Sequence, residues 1–297
     1  MKVLVTFSAA LAISGWLSGP ALSQTDPHAG HAMEKPSPAA APAPRNEALP
    51  PDAEQAKAAL AKSPRHGEWV DVPFEGSGKL LTWVVYPERK EKAPVVLVIH
   101  EIYGLTDWIR GVADQLAKEG FIALAPDLLS GLGPGGGGTE ALKDDVGKAI
   151  RTLTPEMVAA RLNAVRDYAL KLPAAGSKTG SVGFCWGGSS SFAYAVAQPK
   201  LDAAVVYYGT SPADAAAYAK IAAPVLGLYG GDDARVNATI PAAEAEMKKL
   251  GKKYTPMIFD GAGHGFLRQQ TGRDGANMKA SERAWAATLA FLRENLK

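Results

Sequence analysis

An α/β fold, a mainly parallel sheet with helices on both faces, is what the sequence predicts, and three observations predict it. β-rich and helix-patterned runs alternate almost throughout residues 80–295, the run Pro94–His100 is nearly unbroken in Val, Leu and Ile, and glycine-bearing motifs follow several strand ends. Alternation of this kind joins parallel strands through crossover helices. A strand buried on both faces reads as a continuous apolar run. Ligand sites in such sheets lie beyond the carboxyl ends of the strands.

Taken in order, Leu80–Tyr86 and Pro94–His100 are predicted as strands. Thr106–Glu119 sets Trp108, Val112, Leu116 and Ala117 at helical spacing, with Gly120 as the C-terminal stop. Phe121–Ala125 is the next strand. Thr154 opens a helix with Pro155 at its first position, running to about Leu172 before Pro173 and a turn. Strand Lys178–Phe184, helix Gly187–Ala197, strands Ala203–Tyr208 and Pro224–Tyr229, helix Ile240–Leu250, strand Lys253–Phe259 and helix Asn277–Asn295 complete the pattern. Residues 53–297 contain neither a second linker nor a fixed-period repeat, so they read as one domain.

The first 52 residues read differently. Lys2, the short apolar stretch Val3–Leu17 and the small-x-small triplet Ala21-Leu22-Ser23 give residues 1–23 the form of a signal peptide cleaved before Gln24. The apolar run falls short of the ~20 residues that span a bilayer. Residues 24–52 then turn to alanine, proline and small polar residues; eight of the chain's 21 prolines lie between Pro20 and Pro51, the mark of an extended linker. His28, His31 and Met33 within it could catch a soft metal ion. No scaffold holds them, so they read as solvated side chains.

Composition narrows the function classes. With 47% apolar residues in 297 the chain buries a real core, and a net charge of +2 gives no footprint for nucleic acid. The single cysteine, Cys185, excludes an internal disulfide and a Cys-rich zinc site. It is either a buried small hydrophobe or a reactive thiol.

The motif Gly183-Phe184-Cys185-Trp186-Gly187-Gly188 favours the thiol. It ends a strand, opens a helix, and places glycines two before and two after Cys185, which is a nucleophile elbow with Cys in place of Ser. A helix N-terminus also favours a thiolate. Such a nucleophile needs a base and an orienter. His264, in Gly261-Ala262-Gly263-His264-Gly265-Phe266, is the only histidine after Cys185. Asp232 and Asp233, after Gly230-Gly231, compete for the acid, with Asp233 leaving one more residue for the chain to turn back.

These motifs resemble those of the dienelactone hydrolase family of α/β-hydrolases, over about Leu80 to Leu296. The resemblance implies an α/β-hydrolase fold and a Cys185, His264, Asp233 triad. It selects Asp233 as the last residue of a Gly-Gly-x-Asp unit. It also gives Glu101, in His100-Glu101-Ile102-Tyr103-Gly104, the task of helping convert thiol to thiolate, and it matches Arg268 to a family arginine that binds a substrate carboxylate, with Tyr103 beside it as a second substrate contact. The backbone N–H groups of Ile102 and Trp186 are expected to form the oxyanion hole. The family's second arginine has no clear counterpart; Arg151 is the nearest candidate, and the glycine run Gly131–Gly138 takes its place as a flap or flexible loop. That run is not a phosphate loop, since no Lys-Ser/Thr follows and no helix is expected to open directly from it.

The expected function is therefore that of an exported, periplasmic hydrolase (a carboxylesterase or lactonase of the carboxymethylenebutenolidase type) acting on a small ester or lactone through a Cys185 thioester. No cofactor, no metal, no nucleic acid and no membrane association after signal cleavage are expected, and a monomer is. Two other classes share the scaffold: a non-catalytic periplasmic binding protein, and a single-cysteine thiol redox protein needing an external thiol.

Overall fold

The computed structural model describes residues 45–76 and 78–297. The signal peptide assigned to residues 1–23, most of the linker and the trio His28, His31 and Met33 lie outside the described residues. Among those described, no helix is long and apolar enough to cross a membrane.

Eight strands form one sheet in the order β1-β2-β4-β3-β5-β6-β7-β8. They are β1 (Gly67–Phe74), β2 (Gly78–Val85), β3 (Ala93–Ile99), β4 (Ile122–Pro126), β5 (Ala175–Phe184), β6 (Ala203–Tyr207), β7 (Val225–Gly230) and β8 (Tyr254–Phe259). From β4 to β8 every neighbouring pair is parallel, while β1 and β2 form an antiparallel hairpin whose second strand pairs antiparallel with β4. The mainly parallel sheet is therefore as expected. The hairpin adds β1, which the sequence pattern did not announce: it is an edge strand in which only Val72 is fully buried, so its apolar signal is weak.

The helices are α1 (Ala56–Ala61), α2 (Asp107–Lys118), α3 (Thr139–Leu142), α4 (Val146–Ile150), α5 (Pro155–Ala169), α6 (Trp186–Ala197), α7 (Ala234–Asn237), α8 (Ile240–Lys249) and α9 (Ala276–Asn295). Side chains alternate along β3 as a two-faced strand requires. Val95, Leu97 and Ile99 join a core with Leu162 of α5, Phe192 of α6 and Met247 of α8. Val96 and Val98 join the opposite core with Ile109 of α2 and Trp285 and Leu292 of α9. Helices thus cover both faces.

Two expectations are corrected. Residues 45–52, assigned to the linker, pack into the domain: Leu49 is buried in the core beneath α2 and α9, and Arg45 donates to Gln115 Oε1 at 3.2 Å. Proline-rich chain needs no ladder of its own when neighbouring groups bond its carbonyls, and Gln270 Nε2 donates to Pro50 O at 2.9 Å. Second, a helical turn does open directly from the glycine run, since α3 begins at Thr139 immediately after Gly138. The buried Asp127 draws the chain back there, accepting from Thr139 N at 2.6 Å and Thr139 Oγ1 at 2.8 Å.

Candidate active site

The carboxyl ends of β3, β5, β7 and β8 lie close to level, with Ile99 opposite Gly183 and Gly230 opposite Phe259. Glu101 follows β3, Cys185 follows β5, Asp233 follows β7, and His264 and Arg268 follow β8. The sheet thereby gathers residues that lie far apart in sequence.

Cys185 sits at φ 55°, ψ −116°, a conformation a side chain adopts only under constraint. The constraint is steric. A methyl at Gly183 would strike the carbonyl of Gly187, and one at Gly187 would strike the carbonyls of Ile99 and His100. Gly183 therefore lets β5 and α6 meet at a turn too tight for a side chain, Gly187 lets α6 press against the end of β3, and the strained residue between them is aimed into the site. Its thiol is half-buried. Burial and the nearby Glu101 carboxylate push the thiol up, outweighing the backbone N–H groups of Trp186 and Ile102 and the charge of Arg235, which favour a negative sulfur. At rest the residue is a thiol. The helix N-terminus alone does not make it a thiolate, as the motif had suggested.

His264 Nδ1 lies 2.5 Å from Asp233 Oδ2, and the Asp233 carboxylate is buried. Asp232 faces the other way and accepts from Arg273 at 2.6 Å. Of the two candidate acids, the structure brings Asp233 to the histidine. The His264 ring also packs against Tyr208, with centroids 5.1 Å apart.

Glu101 is 3% exposed and its carboxyl is raised to about 7, because burial outweighs the charge of Arg268. Arg268 Nε stands 2.9 Å from Glu101 Oε2. The Nε–H does not point at that oxygen and has no hydrogen-bond partner among the described residues, so the contact is an ion pair rather than a hydrogen bond. The guanidinium also lies 5.0 Å over the ring of Tyr103, which is exposed at the rim with Ile102. Arg151 is elsewhere, exposed at the end of α4, and no second arginine joins Arg268 from that segment.

Several residues of this site escaped the sequence reading. Tyr208 follows β6 at φ 39°, its ring buried and its hydroxyl without a hydrogen-bond partner among the described residues. Burial and the Glu101 charge push its phenol well up. The signal was its place at a strand end, as for Cys185, but the run Ala203–Tyr208 reads as unbroken strand. His100 accepts at Nε2 from Leu128 N at 3.2 Å and bonds through Nδ1 to Glu101 O at 2.8 Å, and burial lowers its pKa, so it is a neutral brace. Thr139 Oγ1 accepts from Leu105 N at 3.0 Å, tying the glycine run to the loop that carries Glu101 and Ile102. No cluster of three or more His, Cys, Asp or Glu placed to hold a metal occurs among the described residues.

Comparison with known proteins places the chain. The dienelactone hydrolase family model matches residues 80–296. The chain is 32% identical to a Saccharolobus solfataricus protein named "Putative carboxymethylenebutenolidase", over 75% of this chain and 97% of that one. It is 29% identical to a Bradyrhizobium protein named "Probable 2-oxo-3-(5-oxofuran-2-ylidene)propanoate lactonase", over 77% and 94%. The crystal structure of a protein from Klebsiella pneumoniae described as a "Putative Dienelactone Hydrolase" superposes with a TM-score of 0.69 at 24% identity, over 77% of this chain and 98% of that one.

Proposed function

Because the chain belongs to the dienelactone hydrolase family and is a hydrolase of ester or lactone bonds, we propose that it cleaves its substrate through a Cys185 thioester with His264 and Asp233. The observation that carries this reading is a strained Cys185 at the end of β5, gathered at the same edge of the sheet as a His264–Asp233 pair 2.5 Å apart. Donors fixed in advance where charge develops are the usual largest contribution to acyl-transfer catalysis.

The chemistry starts from the resting thiol. Substrate entering the site displaces Arg268 from its ion pair, a substrate carboxylate most effectively, and Glu101, relieved of its partner, accepts the proton from Cys185. The thiolate attacks the carbonyl carbon, and the oxyanion rests on the N–H groups of Trp186 and Ile102. Collapse breaks the carbon–oxygen bond of the ester or lactone, the leaving oxygen takes the proton that Glu101 received from Cys185, and a thioester remains. His264, held by Asp233, then removes a proton from water, which attacks the thioester and releases the acid and the thiol. With Arg151 placed away from the site and no second arginine from its segment joining Arg268, a broad range of esters and lactones suits the site better than dienelactone alone.

Hydrolysis of p-nitrophenyl acetate or a small enol-lactone tests the reading. Cys185→Ala is expected to abolish turnover, and full activity in that variant would overturn the assignment. Export belongs to the same proposal, supported by Lys2, the apolar run Val3–Leu17 and Ala21-Leu22-Ser23. A mature chain recovered from the periplasm should begin at Gln24; an intact Met1 confined to the cytoplasm would contradict it.

A further inference from the structure

From Trp186, the residue after the nucleophile, a groove extends that the proposed chemistry does not use. Its volume is about 670 Å³, and it runs between α5, α6 and the chain that follows β6. A small lactone needs far less, whereas pockets of ~300–1,000 Å³ enclose drug-sized ligands. Trp186 belongs to both places: it directly follows Cys185 as the first residue of α6, and it lines the groove.

The groove's polar residues are already engaged. Ser190 donates to Trp186 O at 2.9 Å, Ser189 Oγ accepts from Thr210 N at 2.8 Å, and Tyr194 donates to Asn163 at 2.9 Å. A wall whose hydrogen-bonding groups are satisfied from within presents carbon to a ligand and selects by shape and apolarity. Charge at the groove consists of Glu156, Asp214 and Lys220, two acids to one base. That balance disfavours an anionic group at the far end of a ligand.

Resting on the ester-hydrolase reading, we propose that this groove holds the uncharged apolar chain of an extended ester, an alkyl or aryl group carried on either side of a carbonyl seated at Cys185. The protein would then serve two kinds of substrate feature: a carboxylate near the carbonyl, met by Arg268, and an apolar chain, met by the groove.

Two ester series test this, p-nitrophenyl acetate to octanoate for the acyl side and ethyl acetate to octyl acetate for the alcohol side. Each buried methylene is worth about fourfold, so kcat/KM should rise at least tenfold in one of the series. A carboxylate at the end of the longer chain should remove the gain. Ala193→Phe on α6 and Ala217→Phe on the facing segment fill the groove from opposite walls; each should cut the long-to-short ratio at least fivefold, with circular dichroism melts showing which variants are folded. A ratio within twofold of unity in both series, or one unmoved in the folded variants, overturns the proposal. If no ester at all is hydrolysed, the enzymatic reading fails separately. Calorimetric titration of Cys185→Ala protein with octanamide against acetamide then still decides the groove: tighter binding of octanamide supports it, and equal or absent binding overturns it.

Discussion

Glu101 answers to two opposed influences, burial that raises its carboxyl to about 7 and Arg268 that lowers it. Its proton is held more tightly in the folded protein than at the ordinary value of 4.5. The stability it contributes is therefore fully present below the unfolded value and is lost as pH rises through about 7. Glu101→Gln should remove that loss, so that between pH ~5 and ~8 the wild-type melting temperature falls relative to the variant's. Activity should show the converse limb: wild-type kcat/KM rises through about pH 7 as the carboxylate becomes available, and the variant, short of a proton acceptor, loses the limb and at least ~100-fold in rate. A variant with an unchanged pH profile would contradict the role. At this scale the sequence was informative where a residue's chemistry is rare and its spacing fixed, as with Cys185 and His264. It left Asp232 and Asp233 open, because adjacent carboxylates in one turn differ only in where they point.

Among the elements, the site depends on loops that hold one another. Asp127 after β4 fastens Thr139 at the start of α3, and Thr139 fastens Leu105, three residues past Ile102. Thr139→Val keeps the shape and removes the hydroxyl, leaving the Leu105 amide unpaired at a cost of about 1–3 kcal/mol. The expected outcome is a fall in kcat with little change in KM, because the Ile102 N–H, the proposed oxyanion donor, is displaced while substrate contacts remain. An unchanged kcat would show that the Ile102 loop holds its place without this tie. Strongly apolar elements such as β3 and the helix following Thr154 could be read directly. The edge strand β1 and the turns α3 and α4 could not, because β1 buries only Val72 and α3 and α4 are too short to show a period.

For the molecule as a whole, the Arg45–Asp52 segment matters more than its composition suggests. Leu49 fills a core position, and Gln270 and the backbone bond from Ala53 N to Arg268 O, 3.0 Å, tie this segment to the loop bearing Arg268, the proposed substrate anchor. Leu49→Ala should cost about 2–5 kcal/mol, measured by urea unfolding, and should weaken substrates bearing a carboxylate more than neutral ones. A cost under ~0.5 kcal/mol would place the segment outside the cooperative unit. Alanine and proline gave no hint of this, since a strand-free brace has no periodicity to detect. The order in which strands enter the sheet has a further consequence for the chain as it is made. Cys185 emerges during synthesis before Asp233, His264 and Arg268, and the loop carrying the last two takes its place only when β8 has docked beside β7. A partly synthesised chain thus carries the thiol without the proposed base and anchor, and the proposed catalysis waits on the C-terminal part of the sheet.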